Sequence, residues 1–467
     1  MDFELNGGFL IPKGAVLEDL GGKAQRLIEY QNLAQKHGFR FPDAVALPWQ
    51  IFAGIPIRKG IEYDYGFKRY DNDFSFTPGD FNDAEREVVL EVLSWIKNPF
   101  FSSSAPGEDS FKARMPGAYS SRHGESLESM MKDRGPRIEN HELSAEEEHL
   151  AYNLSQLGEV LASYFFPFPT GLRKKHGIPD SGMGVLVRET VGGERGPSYS
   201  IVIQTNLPDG VYVGVAKGYG ENIVSGREHD SYKFNPEKGT FDGAIENYPF
   251  DLEKIVQMVL SFEKGLNLPR KFGGDYELAL DRDLNVYLLQ CPPLKKIKDI
   301  GAISDKGNYL KSIQTPRGSA VVRFNRIVYI PEGIYIGDES TPKEHRAEEA
   351  KLQELFQLNQ SLTNYLLIVR SIPRLWIPEI AYNAAGIIEF VSETGRYMLS
   401  PRGDSPVSHY TTFLRTEKIG FVPAVLKDEF EGRIAGKQGL GNRIAVLETP
   451  GTFKVNEFRN QAGLYLR

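Results

Sequence analysis

Cysteine is nearly absent from this chain of 467 residues, in which Cys291 is the single example. One cysteine excludes an intramolecular disulfide framework and a zinc site built from several thiolates, and it suits a reducing compartment. Runs of about 18 uncharged apolar residues, the length that a membrane helix needs, are also missing. The N-terminal segment has two early acidic residues and lacks the apolar core of a signal peptide. These absences predict a cytoplasmic protein with no membrane partner.

An excess of positive charge is missing as well. The chain has 55 Lys and Arg against 62 Asp and Glu, which gives a formal net charge of −7. Non-specific duplex binding requires clustered cations that displace counterions, so we expect no nucleic-acid partner. With 40% hydrophobic and 25% charged residues, the composition is that of an ordinary globular protein. The length predicts more than one packed unit.

Common catalytic signatures are also missing from the sequence. It contains no P-loop pattern, no His-Glu-x-x-His zinc pattern and no Gly-x-Ser-x-Gly elbow. Gly218-Tyr219-Gly220 lacks the third glycine of a Rossmann fingerprint, because residue 223 is isoleucine. P-loop and Rossmann folds are therefore disfavoured.

Glycine, in contrast, is abundant, with 47 residues, and several occur in tight clusters. Glycine permits positive φ and close backbone approach, and phosphate-binding loops need both properties. Ordinary turns use glycine for the same reasons, so one cluster alone does not distinguish the two. The clusters are Gly21-Gly22, Gly192-Gly193, Gly218-x-Gly220 and Gly273-Gly274.

The sequence pattern predicts alternating helices and strands. A helix begins near Ser144, where Ser-Ala-Glu-Glu has the spacing of a capping box and leucines follow at helical intervals. After Gln290 the composition shifts to a stretch rich in Lys, Gly and Ser, which indicates a domain boundary. The other predicted elements are strands over 184–190 and 199–205, a helix over 252–266, a hairpin of 275–280 with 284–290, a strand over 320–330 and a charged helix over 342–358.

The predicted hairpin carries a possible metal site. If Leu280 lies opposite Asn285, then Asp275 lies opposite Gln290, and alternation places Asp275, Glu277 and Gln290 on one face. Two carboxylates and an amide oxygen are hard ligands of the kind that Mg²⁺ uses when it also holds substrate phosphates. A solvated hairpin face would show the same pattern.

A second candidate site lies in the C-terminal part of the chain. Ser405-Pro406 followed by Ser408-His409 has the pattern of an N-cap serine, a proline at the first helical position and a histidine in the first turn. The free amides at such a helix end would stabilise a negatively charged phosphohistidine. Arg415 lies six residues after His409 and serves the same phosphate only if its side chain extends back or the start of the helix is bent. A capping or surface histidine fits the pattern equally.

Taken in order, these and other short motifs resemble one family, the phosphoenolpyruvate synthase and pyruvate phosphate dikinase group of phosphohistidine dikinases. The resemblance covers residues of about 15–293 and 315–467. It rests on Gly21-Gly22-Lys23-Ala24 with Phe41-Pro42, Ser103-Ser104-Ala105 with Glu108-Asp109 and Pro116-Gly117, Gly218-Tyr219-Gly220-Glu221 with Val224-Ser225-Gly226, Asp275-x-Glu277, Leu289-Gln290, and Ser408-His409 with Arg415.

The resemblance implies an α/β (α+β) protein with an ATP-grasp-like nucleotide domain of two subdomains and a smaller swivelling phosphohistidine domain. The implied divisions are 1–180 and 181–295 for the subdomains, 296–318 for a linker and 319–467 for the swivelling domain. Such a protein uses ATP and Mg²⁺ as an ATP-dependent phosphotransferase. It passes a phosphoryl group from ATP, through a histidine, to an acceptor.

The resemblance also assigns roles to individual residues. Lys23 would contact the ATP phosphates, Asp275, Glu277 and Gln290 would hold Mg²⁺ and nucleotide, and His409, aided by Arg415, would take the phosphoryl group. The other expected nucleotide contacts are Ser103, Ser104, Glu108, Asp109, Gly117, Arg188, Gly218, Gly220 and Glu221.

Departures from the family pattern leave the activity open. Family arginines are replaced by Ser102 and Pro292, and an arginine on a transferring phosphoryl group contributes roughly 10³ to 10⁵ in rate. Arg114 and Arg188 are candidates to replace them. The family's pyruvate-binding barrel does not follow residue 467, so the acceptor, a small molecule or a separate subunit, is expected outside this chain. The alternatives are a catalytically weakened nucleotide-binding regulator and an ATP-grasp ligase that activates a carboxylate.

Overall fold

The structure is a computed structural model. It describes residues 2–466 except 7, 60–74, 110–114, 116–117, 135–143, 208, 225–228, 298–301, 305–307, 314–318, 331–353, 356, 360, 370–381, 391–412, 415–418, 427–429, 431–443 and 457–460. In these residues the fold is mixed α/β, with three β-sheets.

The first sheet is built from six strands, β1 (Phe3–Asn6), β2 (Phe9–Pro12), β3 (Ala44–Leu47), β4 (Pro99–Ser104), β5 (Ser121–His123) and β6 (Gly184–Glu189). Their order in the sheet is β1-β2-β3-β6-β4-β5. Neighbouring strands are antiparallel except β2 and β3, which are parallel. The strand predicted over 184–190 is thus confirmed as β6, at the centre of this sheet.

The helices that accompany this sheet are α1 (Gly22–Lys36), α2 (Gly54–Arg58), α3 (Asp83–Trp95), α4 (Leu127–Arg134), α5 (Ala145–Ser163) and α6 (Pro167–His176). The Oγ atom of Ser144 accepts the N–H of Glu147 at 3.2 Å, and the Glu147 carboxylate accepts the N–H of Ser144 at 2.7 Å. The predicted capping box at the start of α5 is confirmed.

Both faces of the first sheet are buried, and they pack against different partners. Val185 and Val187 belong to the core that includes α3 and α5, whereas Leu186 belongs to the core that includes α1 and the second sheet. Successive side chains of a strand point to opposite faces. Arg188 therefore projects to the same side as Leu186, towards the second sheet.

The second sheet contains β7 (Tyr199–Leu207), β8 (Gly210–Lys217), β9 (Asp230–Asn235), β10 (Thr240–Phe241), β11 (Phe272–Leu280), β12 (Val286–Gln290) and β13 (Pro293–Lys295), with α7 (Glu221–Val224) and α8 (Leu252–Gly265) between its strands. The order is β10-β9-β8-β7-β11-β12, and β13 pairs with β11. The predicted strand over 199–205 and helix over 252–266 are confirmed as β7 and α8.

The hairpin of β11 and β12 forms as predicted, but its register differs. Leu280 pairs with Val286, and a bulge after Glu277 brings Glu277, instead of Asp275, opposite Gln290. The reason lies in the turn, where the Asp281 carboxylate accepts the backbone N–H of residue 285 at 2.9 Å and its side-chain amide at 2.8 Å. These bonds hold residue 285 in the turn, so strand pairing begins one residue later.

The third sheet contains β14 (Leu310–Ile313), β15 (Ser319–Ile330), β16 (Tyr365–Val369), β17 (Ala384–Phe390), β18 (Gly420–Leu426), β19 (Ala445–Asn456) and β20 (Gln461–Leu466). The order is β14-β18-β17-β16-β15-β19-β20. The four central strands are parallel and the outer strands antiparallel. The strand predicted over 320–330 is confirmed as β15, while most of the charged helix predicted over 342–358 lies outside the described residues.

The chain forms two compact units. One comprises Met1–Asn206, Gly210–Ile223 and Glu228–Leu294, and the other comprises Leu207–Asp209, Val224–Arg227 and Lys295–Arg467. Two details of the predicted divisions differ from the structure. A boundary between 180 and 181 separates β6 from its partners in the first sheet, and residues 310–313 of the expected linker form strand β14. The assignment of the divisions to functional domains stays a prediction.

None of the helices in the described part of the chain is both long and apolar enough to cross a bilayer.

Candidate functional site

A buried ion pair joins the first turn of α1 to the loop after β4. Lys23 Nζ lies 3.2 Å from Glu108 Oε1, and each side chain is 8% exposed. Ser103 Oγ donates to the same carboxylate oxygen at 3.1 Å, and the Ala105 N–H donates to Oε2 at 2.9 Å. Burial raises the pKa of Glu108, while Lys23 opposes that rise. A buried pair of this kind needs such additional bonds to offset desolvation.

The first glycine cluster positions Lys23 by close packing. Gly21 has φ +80°, and a Cβ atom on it would lie 1.6 Å from the Ser104 carbonyl oxygen. A Cβ atom on Gly22 would lie 1.8 Å from the Glu108 carbonyl oxygen. Only glycine lets the helix begin this close to the loop. The backbone of this cluster therefore contacts the loop after β4 directly.

The three consecutive serines at the end of β4 are buried, and each hydroxyl has a partner within the chain. Ser103 donates to Glu108, and Ser104 Oγ accepts the N–H of Ala24 at 3.0 Å. Ser102 Oγ accepts from Arg188 at 3.1 Å. The predicted nucleotide contacts Ser103 and Ser104 therefore hold α1 and Glu108 in position.

Arg188 links the first sheet to the hairpin of the second. Its Nη1 donates to the Leu289 carbonyl at 2.7 Å, its Nη2 donates to Ser102 Oγ, and its guanidinium lies 5.5 Å from the centre of the Phe100 ring. The residue is 7% exposed, and its Nε has no hydrogen-bond partner within the described residues. The resembling family has an arginine where this chain has Ser102. In this chain the guanidinium of Arg188, from the neighbouring strand β6, lies against Ser102.

Two carboxylates balance the charge of Arg188. Burial lowers its pKa to about 10, and Glu277 and Asp109 act in the opposite direction. The group therefore stays cationic at neutral pH. The resemblance named all three residues, but their contact could not be derived from sequence spacing, because they come from separate segments.

Asp109 meets the hairpin directly. Gln290 Nε2 donates to both carboxylate oxygens of Asp109, at 3.1 Å and 2.9 Å. Asp109 is buried and has φ +60°, a conformation that non-glycine residues seldom adopt. Such conformations concentrate at functional sites. The hydrogen bonds connect the loop after β4 to β12 across the core of this unit.

The predicted metal face consists of Asp275, Glu277 and Gln290, and its metal binding stays a prediction in the observed register of the hairpin. Glu277 lies opposite Gln290, and Asp275, two residues earlier on β11, lies on the same face and is buried. These hard oxygen donors fit Mg²⁺, which takes few protein ligands and completes its shell with water and phosphate. No group of three or more His, Cys, Asp or Glu side chains suited to a metal occurs among the described residues. The donors are therefore too few for a metal site built from carboxylates alone.

The residue that replaces the second family arginine has a backbone role. The Pro292 carbonyl accepts the N–H of Asp275 at 3.0 Å, which extends the pairing along β11. The backbone thus holds Asp275 at the edge of the predicted metal face.

The loop that carries Gly218 and Gly220 lies beside the residues that surround Arg188. Gly218 has φ +75°, and its carbonyl accepts from Ser200 Oγ at 2.7 Å. The Tyr219 ring packs edge-on against His123, with centroids 4.6 Å apart. Glu221 begins α7 immediately after Gly220. The loop is therefore anchored on β7 and contacts β5.

His123 was missed in the sequence, where no local pattern marks it. Strand pairing aligns His123 with Phe100, and Phe100 with Arg188, so the three residues form one row across β5, β4 and β6. The position of His123 in one row with Arg188 is visible only from the pairing of the strands.

Other predicted site residues lie outside the described residues. These are His409, Arg415, Gly117 and the candidate replacement Arg114. Lys23, Ser103, Ser104, Glu108, Asp109, Arg188, Glu277 and Gln290 are brought together in one cluster, with Asp275 on its metal face and Gly218, Gly220 and Glu221 in the adjoining loop.

No family model matches the chain, and no curated protein matches it. Among solved structures it is similar to the ATP-grasp ligase PsnB complexed with minimal precursor, with 9% identity, a TM-score of 0.21 and coverage of 56% of this chain and 49% of that chain. It is also similar to the macrocyclase MdnC bound with precursor peptide MdnA from Microcystis aeruginosa MRC, with 10% identity, a TM-score of 0.21 and coverage of 56% and 50%.

The chain spans about half the length of these two solved structures. Neither is a phosphohistidine dikinase. At a TM-score of 0.21 the likeness indicates neither the fold nor the chemistry of this chain.

Proposed function

We propose that this chain is an ATP-dependent enzyme of the ATP-grasp type, which binds ATP with Mg²⁺ between the first and second sheets and uses it to activate a carboxylate. One observation carries the proposal. Two buried cations, Lys23 and Arg188, lie in one cluster with the oxygen donors Asp109, Glu277 and Gln290, and the cluster joins both sheets.

The cations supply the charge that a polyphosphate needs. Arg188 is buried, cationic at neutral pH and has an Nε donor with no partner within the described residues. A planar guanidinium suits phosphate because it donates in a fixed fork. Lys23 is paired with Glu108, and burial, which raises the pKa of this carboxyl, penalises its charged form. A phosphate oxygen is therefore an alternative partner for the Lys23 ammonium.

The hairpin supplies the acidic side of the site. Glu277 and Gln290 lie opposite one another, with Asp275 on the same face. When bound there, Mg²⁺ would neutralise phosphate charge and orient the transferring group. Asp109 fixes the Gln290 amide nitrogen, which leaves the amide oxygen of Gln290 as the available donor.

Among the described residues of the cluster, no serine hydroxyl is available as a nucleophile. The hydroxyls of Ser102, Ser103 and Ser104 are buried and engaged. The acceptor must therefore enter from outside the cluster, and a substrate carboxylate fits this requirement. Its oxygen forms a bond to the γ-phosphorus, the bond from that phosphorus to ADP breaks, and an acyl phosphate and ADP result. Lys23 and Arg188 would stabilise the charge that develops on the transferring oxygens.

A second candidate remains, in which His409 accepts the phosphoryl group. Its support is the sequence pattern of a helix N-terminus around Ser405 and Ser408, within the proposed swivelling domain 319–467. In that case an acceptor carried outside this chain, either a small molecule or a separate subunit, receives the phosphate in a later step.

Product analysis separates these candidates. The purified chain is incubated with ATP, Mg²⁺ and a panel of carboxylates, and the nucleotide products are resolved by phosphorus NMR. Carboxylate activation gives ADP, and no acid-labile phosphate forms on residue 409. AMP with a label that is lost in His409→Ala would replace the proposal with the histidine relay. Binding of ATP with no turnover would instead support a regulatory nucleotide-binding protein.

A further inference from the structure

A row of side chains leads from the buried cation to the edge of the first sheet. Arg188, Phe100 and His123 are aligned across three adjacent strands. The guanidinium lies 5.5 Å from the Phe100 ring centre, and the Phe100 and His123 rings are 4.5 Å apart. Adjacent strands are about 4.8 Å apart, so the backbones of Arg188 and His123 are separated by roughly 10 Å.

The glycine loop covers the end of this row. Tyr219, which is 41% exposed, packs its ring edge-on against His123. On its other side Tyr219 packs against Gly196, where an added Cβ atom would lie 2.5 Å from the tyrosine ring. The His123 ring therefore lies between Phe100 of the sheet and Tyr219 of the loop that carries Gly218 and Gly220.

The charged groups that act on His123 come from two elements. Burial between rings lowers the pKa of His123 below its usual range, Glu221 of α7 raises it, and Arg188 of β6 lowers it. Phe100 of β4, which packs against His123, carries no charge, and Arg122, which precedes His123 on β5, pairs with Glu159. At neutral pH and without ligand, the imidazole is therefore neutral.

We propose that His123 is a third basic group of the nucleotide site, which takes up a proton from water when a polyphosphate binds at Arg188. This inference rests on the proposed function. Bound phosphate oxygens neutralise Arg188 and add negative charge on the face that His123 shares. The proton goes from bulk solvent to the free ring nitrogen, and the imidazolium then attracts the phosphates.

The affinity for the polyphosphate should depend on pH, because binding raises the pKa of His123. The bound state holds the proton more tightly than the free state, so affinity is greatest at low pH and falls as pH rises through the pKa of the complex. A rise of one pKa unit on binding corresponds to about tenfold in affinity. Glu221 favours the imidazolium, so its removal should weaken the proton uptake.

The experiment is calorimetric titration of the full chain with the non-hydrolysable analogue AMP-PNP and Mg²⁺, from pH 6 to pH 8, in two buffers of different ionisation enthalpy. The chain should take up a fraction of a proton and bind about three- to tenfold more tightly at the lower pH. His123→Phe keeps a ring against Tyr219 and should abolish both effects while still binding. His37→Phe, at the other end of α1 from Lys23, serves as the matched control and should retain both.

Persistence of the proton uptake in His123→Phe would overturn the inference while leaving the proposed function intact. Failure of the unmodified chain to bind the analogue at any pH would overturn the proposed function, and this inference with it. A proton NMR titration of His123 in the ligand-free chain supplies a readout that does not depend on binding. A pKa at or above the ordinary value there would contradict the described packing and overturn the inference.

Discussion

The side-chain amide of Gln290 donates to both carboxylate oxygens of Asp109, a residue 181 positions earlier in the chain. One donor that serves two acceptor atoms fixes the orientation of both side chains. The contact ties the loop after β4 to the hairpin, and it aligns the donors of the proposed nucleotide site. Its loss should therefore be visible in both stability and binding.

Gln290→Leu should lower the free energy of unfolding by about 1–3 kcal/mol, because it leaves the buried Asp109 carboxylate without these donors. Urea denaturation measures the change. The matched control is Gln257→Leu on the exposed side of α8, for which we expect little effect. Equal losses in the two variants would show that the Asp109 contact contributes nothing specific.

Arg188→Lys should weaken binding of AMP-PNP with Mg²⁺ by about 10- to 100-fold, because an ammonium cannot hold the Leu289 carbonyl and Ser102 while also donating to phosphate. Equilibrium titration measures the affinity. Arg195→Lys, on an exposed short helix of residues Gly193–Arg195, is the control that conserves charge elsewhere. An unchanged affinity in Arg188→Lys would remove Arg188 from the proposed site.

Gly21→Ala should destabilise the chain much more than Gly14→Ala. The two glycines have similar φ angles, +80° and +78°, but only Gly21 has atoms within 4 Å of an added Cβ. Positive φ strains alanine at both positions, whereas Gly21→Ala also collides with the backbone of Ser104. Thermal unfolding compares the two variants. Similar shifts in both would mean that close packing at the start of α1 is not required.

Cys291 should resist thiol reagents in the native chain. It is 4% exposed, and burial raises its pKa to about 12. A rise of three units lowers the thiolate fraction about 1000-fold at pH 8, and only the thiolate reacts. Labelling with a chromogenic disulfide should therefore be slow in buffer and fast in urea. Gln290→Leu should accelerate it, because Cys291 follows Gln290 directly. Rapid labelling of the unmodified native chain would contradict the buried placement.

Local elements were predictable where the signal is local. The capping box at Ser144, the strand that became β6 and the helix that became α8 depend on neighbouring residues and on periodicity, both of which the sequence displays. The pairing of the hairpin was predictable only in part. Bonds from Asp281 within the turn moved the register, and a bulge after Glu277 moved it again.

For the site, too, the sequence predicted individual residues better than it predicted the contacts between them. Short motifs singled out Lys23, Glu108, Asp109, Glu277 and Gln290, and these lie together in the structure. The contacts of Lys23 with Glu108, of Gln290 with Asp109 and of Arg188 with Ser102 were not predictable, because each joins segments that are far apart in the chain.

The sequence by itself determined which residue types are available: one cysteine, no excess of positive charge, glycines at the start of α1, and carboxylates on alternate positions of β11. The tertiary structure decided their use. Packing two sheets against α1 committed the serine hydroxyls to internal bonds and assigned Gly21 to close packing. The same packing brought Arg188 to Ser102 and placed His123 on the row of Arg188. Chain order fixes periodicity and local bonds, whereas burial and charge neutralisation depend on which segments meet in space.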